Sequence, residues 1–218
     1  MPISHVLFDL DGVLLDTERL YTEATQAVVT RFGKTYDWGL KRHIMGRDAR
    51  FGARLVIERL GLPIGVDELL RQRKPVLEAL LEDCRAMAGA EDFVRGLHEK
   101  GIPMGIATSS DRALYELKTQ RHGFFGLFRA VVCGDDPRVR AKKPAPDVFL
   151  AAARDLDVEP SACVVFEDSP AGVEAALAAG MRVIAMPDPA LDSEAFGAAH
   201  HVLRRFADVT PWHLGLNA

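Results

Sequence analysis

The chain has 218 residues, 48% of them hydrophobic and 27% charged, which suffices for one good core, or one core with a smaller inserted unit, and excludes a disordered or fibrous protein. A formal net charge of -4 gives no general attraction to phosphate backbones or anionic membrane, so nucleic-acid and membrane partners are not expected. No apolar stretch reaches membrane-spanning length, the first residues lack the basic start of an export signal, and Cys84, Cys133 and Cys163 form no CxxC pair; the expectation is a cytoplasmic protein with free thiols.

The first strand is expected over His5 to Asp9, running into VLFDLDGVLLD, one of the most apolar stretches of the chain, yet Asp9 and Asp11 sit in that stretch. Burying ionised carboxylates costs several kcal/mol unless something compensates them. From about residue 16 to 87 three segments with i, i+3, i+4 apolar spacing follow one another: TERLYTEATQAVVTRFG, ARFGARLVIERLG and DELLRQRKPVLEALLEDC. They predict an all-helical insert after the first strand, with Gly33 and Gly61 as C-terminal caps and Pro75 kinking or splitting the third helix. Beyond it, strands over Ile102 to Thr108, Ala130 to Cys133, Cys163 to Asp168, Arg182 to Met186 and, more weakly, His201 to Leu203 alternate with helical segments. That alternation predicts an α/β fold, a doubly wound parallel sheet. In DSPAGVEAALAAGM, Ser169 is placed as N-cap, Pro170 in the first turn and Gly180 just past the end of a helix. The expected division is a core of 1–15 and 88–218 interrupted by a helical unit of 16–87.

Four strands carry their reactive residues at or just past their C-terminal ends: Asp9 with Asp11, Thr108 with Ser109 and Ser110, Asp135 with Asp136, and Glu167 with Asp168. In an open parallel sheet those ends share one edge, where ligands bind. Two like charges about 4 Å apart repel by roughly 4 kcal/mol at an effective dielectric near 20, so such a cluster calls for a cation, and oxygen-only donors favour Mg²⁺ over zinc. Lys143, before a helix opened by Pro146 and Asp147, can reach the same edge, and Thr108 lies just before the helix DRALYELKTQRHG. Acid, cation, hydroxyl and lysine together describe a phosphate site. Taken singly, each residue has a plainer reading as a turn, a cap or a solvated charge; Asp135 and Asp136 are as consistent with a turn as with tuning a metal.

DLDGV, the hydroxyl after GIAT, the lysine of KPAPDVF and the acidic pair of VVFEDSPAGVEAALAAG, in that order, resemble the four motifs of the haloacid dehalogenase superfamily. The helical insert resembles that superfamily's α-helical cap, and DTERLY, IMGR, LKTQRH and GDDP resemble its branch of pseudouridine-5′-phosphatases and plant glycerol-3-phosphatases. The resemblance implies a Mg²⁺-dependent phosphomonoesterase in which Asp9 is the nucleophile, forming an aspartyl-phosphate, and Asp11 is acid and then base. It implies Asp9, the Asp11 carbonyl and Asp168 around the metal, with Glu167 acting through water, and Thr108, Ser109 and Lys143 on the phosphoryl group. Lys142, beside Lys143, is the competing candidate. In the cap, Glu18, Arg47 and Arg50 are candidates for the leaving group, and the expected assembly is a monomer or weak homodimer.

Competing functions are a sugar phosphomutase, which in this superfamily typically has a histidine after the D-T pair where this chain has Glu18 to Tyr21, and a phospho-receiver module, whose acceptor aspartate belongs on a later strand. Dehalogenation would not need Asp11, phosphonate cleavage would need a cap lysine with a supporting motif, and no G-x-S-x-G surrounds Ser109 or Ser110.

Overall fold

Six parallel strands form one sheet in the order β3-β2-β1-β4-β5-β6. They are His5–Phe8 (β1), Met104–Ala107 (β2), Ala130–Val132 (β3), Cys163–Glu167 (β4), Arg182–Ala185 (β5) and His201–Val202 (β6). The structure is a computed structural model that describes residues 2–45 and 49–215. Between β1 and β2 lie the helices Glu18–Val29 (α1), Trp38–Lys41 (α2), Ala49–Leu60 (α3), Val66–Leu81 (α4) and Ala90–Glu99 (α5). Arg112–Thr119 (α6), Asp147–Asp155 (α7), Pro170–Ala178 (α8) and Pro211–Leu214 (α9) complete the main helices.

The two-residue period of the strands sorts their side chains between two cores. Val6 and Phe8 of β1, Val164 and Phe166 of β4, and Ile184 of β5 join α5 and α6 on one face. Leu7, Val165, Val183 and Ala185 join α7 and α8 on the other. Both faces are covered, so the strands read as nearly continuous apolar runs. Phe8 stacks on Phe166 across adjacent strands, with ring centroids 5.0 Å apart. That stack lies directly beneath Asp9 and Glu167, so the site rests on a packed layer rather than on a loop.

The insert has its own small core, built from Val28, Val29, Leu40, Ala53, Val56 and Leu69. It joins the sheet through two segments that hydrogen-bond to each other: Asp16 N–H donates to the Arg85 carbonyl, Met87 N–H to the Leu14 carbonyl, and Leu15 bridges Ala86 antiparallel. Gly33, Gly61 and Gly180 all have the left-handed backbone expected where a helix stops. Pro75 does not split the third helix, because α4 runs unbroken from Val66 to Leu81. Pro75 and Arg71 are both exposed, so water can take the carbonyl that loses its donor. The short α2 was not expected from the sequence; Asp37 caps it by accepting from the Leu40 N–H. Among the described residues no helix is long and apolar enough to cross a membrane.

Candidate active site

Asp9 follows β1 directly, and its N–H donates to the Phe166 carbonyl, so the register of β1 with β4 fixes it beside Glu167. Lys143 Nζ reaches between them, 2.5 Å from Asp9 Oδ1 and 2.7 Å from Glu167 Oε1, and donates also to the Ala107 carbonyl at 3.1 Å. Glu167 is wholly buried, and its other oxygen accepts from the Asp168 N–H, the Ser169 N–H and the Ser169 hydroxyl. Two glycines make room for these acids. A Cβ on Gly172 would stand 1.8 Å from Glu167 Oε1, and one on Gly12, where φ is +80°, would stand 2.0 Å from Asp168 Oδ2. Any side chain at either position would displace a carboxylate.

Asp11 is held differently. Lys118 Nζ lies 2.7 Å from both of its oxygens, Thr17 donates to it at 2.6 Å and Ser110 at 2.9 Å. Lys118 comes from α6, has no exposed side-chain surface and also donates to Ser110 Oγ at 2.7 Å. Thr108 is buried at the end of β2; its oxygen accepts from the Ser110 N–H, which leaves its own proton to donate into the cavity.

Burial pushes Asp9 up to about 7, against the pull of the Lys143 ammonium and with help from Glu167 and Asp11. Burial and the charges of Glu167 and Asp9 push Asp168 well above the usual carboxylate range. Burial also acts upward on Asp11, but Lys118 and the hydrogen bonds of Lys118, Thr17 and Ser110 outweigh it and hold that carboxyl low. For Lys143 burial acts downward, and Asp9 and Glu167 overcome it. The site therefore holds more carboxylates than its lysines neutralise.

Above this floor is a cavity of about 300 Å³ roofed by the insert. Tyr21, Tyr36, Met45, Arg73 and Leu77 line its upper part. Glu18 lines it too; its carboxylate lies 3.4 Å from buried Lys41, which donates to the Glu18 carbonyl at 2.9 Å. Burial raises Glu18 despite that partner.

Asp9, Asp11, Thr108, Ser109, Lys143, Glu167, Asp168 and Glu18 all line this one cavity. Lys143 is the lysine turned inward, while Lys142 is exposed at the rim. Arg50 does not reach the cavity: it is exposed, and Asp67 takes its guanidinium at 2.6 Å on the outer face of the insert. Arg47 lies outside the described residues. Asp135 accepts from the Arg112 N–H and also lines the cavity, while Asp136 pairs with Arg138 away from it. The sequence reading missed Lys118, Lys41, Tyr21 and Arg73. A signal for Lys118 existed, since it falls three residues after Tyr115 on the buried face of α6, where an apolar residue belongs.

For a cation, the surplus of buried negative charge is the favourable observation, and among the described residues Asp168 makes no ion pair that would neutralise it. No three His, Cys, Asp or Glu side chains among the described residues are grouped as a ready cage. Two carboxylates, Asp9 and Asp168, with a backbone carbonyl suit an ion that keeps several waters, which is the habit of Mg²⁺. The residues fit that ion.

The family model described as a haloacid dehalogenase-like hydrolase matches residues 3–180. The chain is 45% identical over 220 residues to "(DL)-glycerol-3-phosphatase 1, mitochondrial" of Arabidopsis thaliana, covering 98% of this chain and 74% of the relative. It is also 45% identical to "Probable pseudouridine-5'-phosphatase" of Drosophila melanogaster, covering 99% and 95%. A crystal structure of a HAD family hydrolase from Deinococcus radiodurans, with bound phosphate and sodium, superposes with a TM-score of 0.82 at 27% identity over 99% of this chain and 97% of that one. The chain belongs to the haloacid dehalogenase-like hydrolases. Within them it is a phosphatase, a phosphoric monoester hydrolase.

Proposed function

We propose that the chain hydrolyses small phosphorylated metabolites by attack of an Asp9 carboxylate oxygen on phosphorus, forming an aspartyl-phosphate that water then cleaves. The observation that carries this reading is the convergence of Asp9, Thr108 and Asp168, at the ends of neighbouring strands, with Lys143 in one half-open cavity. Lys143 neutralises phosphoryl oxygens and keeps Asp9 oriented, while Thr108 and Ser109 donate to the same group. Asp11 gives a proton to the leaving oxygen and later takes one from water. The arrangement with Lys118 presents the ionised, base form; the acid half of the role requires the carboxylate to turn off the Lys118 ammonium. Asp9, the Asp11 carbonyl and Asp168 would hold Mg²⁺, with Glu167 supporting through water. When bound, the ion supplies positive charge that offsets the repulsion between an anionic nucleophile and an anionic ester. Residues 16–87 serve as the cap that excludes bulk water from the attack.

Sugar, polyol or nucleotide-like phosphates of the size of glycerol phosphate and pseudouridine 5′-phosphate are the leading substrate class, on the names of the two relatives. A cavity near the lower end of the usual range of about 300–1,000 Å³ suits metabolites of that size and not phosphoproteins. Three buried free thiols fit a reducing compartment, and we place the enzyme in the cytoplasm. The test is phosphate release from a panel of small phosphomonoesters, with and without Mg²⁺, by the wild type and by Asp9→Asn. Metal-dependent release that disappears in the variant is expected; release that survives in Asp9→Asn overturns the mechanism.

A further inference from the structure

The floor and walls of the cavity match each buried cation with an acid: Lys143 with Asp9 and Glu167, Lys118 with Asp11, and Lys41 with Glu18. Arg73 breaks this rule. It projects from α4 into the upper part of the cavity, with its guanidinium carbon over the Tyr21 ring at 6.0 Å. Among the described residues it makes no ion pair and donates no hydrogen bond, although a guanidinium carries five donors. Its nitrogens are not sealed in, because no side-chain nitrogen or oxygen among the described residues is both buried and without a partner. They therefore keep some accessible surface, and Arg73 is one of the residues that line the cavity. Burial holds its charge down, and of the ionisable groups around it only Tyr21 and Tyr36 act the other way. Arg73 stands on α4 of the insert and Asp9 at the end of β1, so the two face the cavity from its roof and its floor.

We propose that Arg73, with Tyr21 and Tyr36, forms an anion subsite, and that the preferred substrate is a small phosphomonoester with a second anionic group, a carboxylate or a second phosphate, at the end remote from the scissile phosphate. A partly desolvated planar fork of donors is matched best by two oxygens sharing a negative charge. A polyol hydroxyl supplies neither the charge nor the paired geometry. The tyrosine rings give the guanidinium a face to rest on and close the sides of the subsite, so the substrate anion completes what the protein leaves half-made. This subsite deepens the phosphatase reading above and rests on it for the word substrate.

The experiment uses matched pairs: 3-phosphoglycerate against glycerol 3-phosphate, and propane-1,3-diol bisphosphate against 3-hydroxypropyl phosphate, with p-nitrophenyl phosphate as a substrate that has no far-end anion. The wild type is expected to show kcat/KM at least about tenfold higher for the anionic member of one pair, the loss typical of a charge-assisted hydrogen bond left unmade. Which pair shows it separates carboxylate from phosphate. Arg73→Gln is expected to erase the preference mainly through KM, lowering the anionic substrates at least about tenfold more than p-nitrophenyl phosphate, and Arg73→Lys to restore part of it. Equal rates within both pairs, or a loss in Arg73→Gln that is uniform across all five esters, overturns the subsite. Calorimetric titration of Asp9→Asn with the same pairs reads the preference without turnover. A protein that hydrolyses nothing yet still binds the anionic member more tightly refutes the hydrolase reading and upholds the subsite; an active enzyme without preference does the reverse.

Discussion

The floor and the roof of the cavity solve the problem of buried charge in opposite ways. On the floor Asp9, Glu167 and Asp11 each have an assigned lysine, set by strand ends that differ in register by a residue or two, and Asp168 adds the surplus charge that calls for a cation. On the roof the polar groups stand on helices that pack on a separate small core, and one of them, Arg73, is left without a counter-charge among the described residues. A rigid floor, matched by its lysines except for the charge a metal ion would take, suits a reaction that is the same for every ester. An unsatisfied roof suits recognition, because the missing partner is then supplied by what binds.

The contrast is tested most severely by Asp9→Asn, which removes the proposed nucleophile and keeps the shape. Activity is expected to fall by about 10⁴-fold or more in a phosphate-release assay, while the folded structure persists. Next in size is Lys143→Met. It leaves Asp9 and Glu167 facing each other without their shared cation, and a loss of about 3–5 kcal/mol is expected in urea unfolding. Lys118→Met should cost about 2–4 kcal/mol by the same argument, since Asp11 keeps two hydroxyl donors and some contact with solvent. If either substitution proves neutral, the floor is not the matched set of charges described here.

A smaller effect concerns pH. In the folded protein Asp9 is raised to about 7, well above the ordinary carboxylate range, so the native state binds more protons than the unfolded chain between that range and 7. Its contribution to stability is then greatest at the acid end of that window and is lost as pH rises through 7, with a slope of at most about 1.4 kcal/mol per pH unit. Thermal unfolding in EDTA from pH 5 to 8 should show the decline, and added Mg²⁺ should flatten it by favouring the ionised form. Smallest of all is Arg50→Ala, on the outer face of the insert, where the pair with Asp67 is exposed to water. Neither Tm nor kcat/KM is expected to move measurably; a change in substrate ranking would bring Arg50 into the recognition surface after all.

The same contrast governs what could be read from the amino-acid sequence. All six strands lie where their apolar runs place them, and Ser169, Pro170 and Gly180 bound α8 as their chemistry requires. The floor was legible because strand ends converge by topology: once Asp9, Thr108 and Glu167 are put at the ends of parallel strands, their meeting follows. Lys118 was hidden because a lysine in a helix is by default solvated, and only the fold shows that this one points at Asp11. Arg73 was hidden for a related reason, as its neighbours Tyr21 and Tyr36 come from α1 and the loop before α2, and no local periodicity relates them to α4. Pro75 misled the reading of α4, since packing of Leu69, Leu77 and Leu81 sustains the helix through it.

The paired segments that carry the chain into and out of the insert bear on how such an enzyme can diversify. Because Leu15 and Ala86 are bridged side by side, the two points at which the insert departs from the sheet are neighbours. A tight turn of a few residues could close that gap, and so could a different helical unit of any length whose ends lie equally close. The insert is in this sense a cassette: its exchange leaves the strand order, the acids and their lysine untouched, and new selectivity can arise without the hydrolytic apparatus being rebuilt.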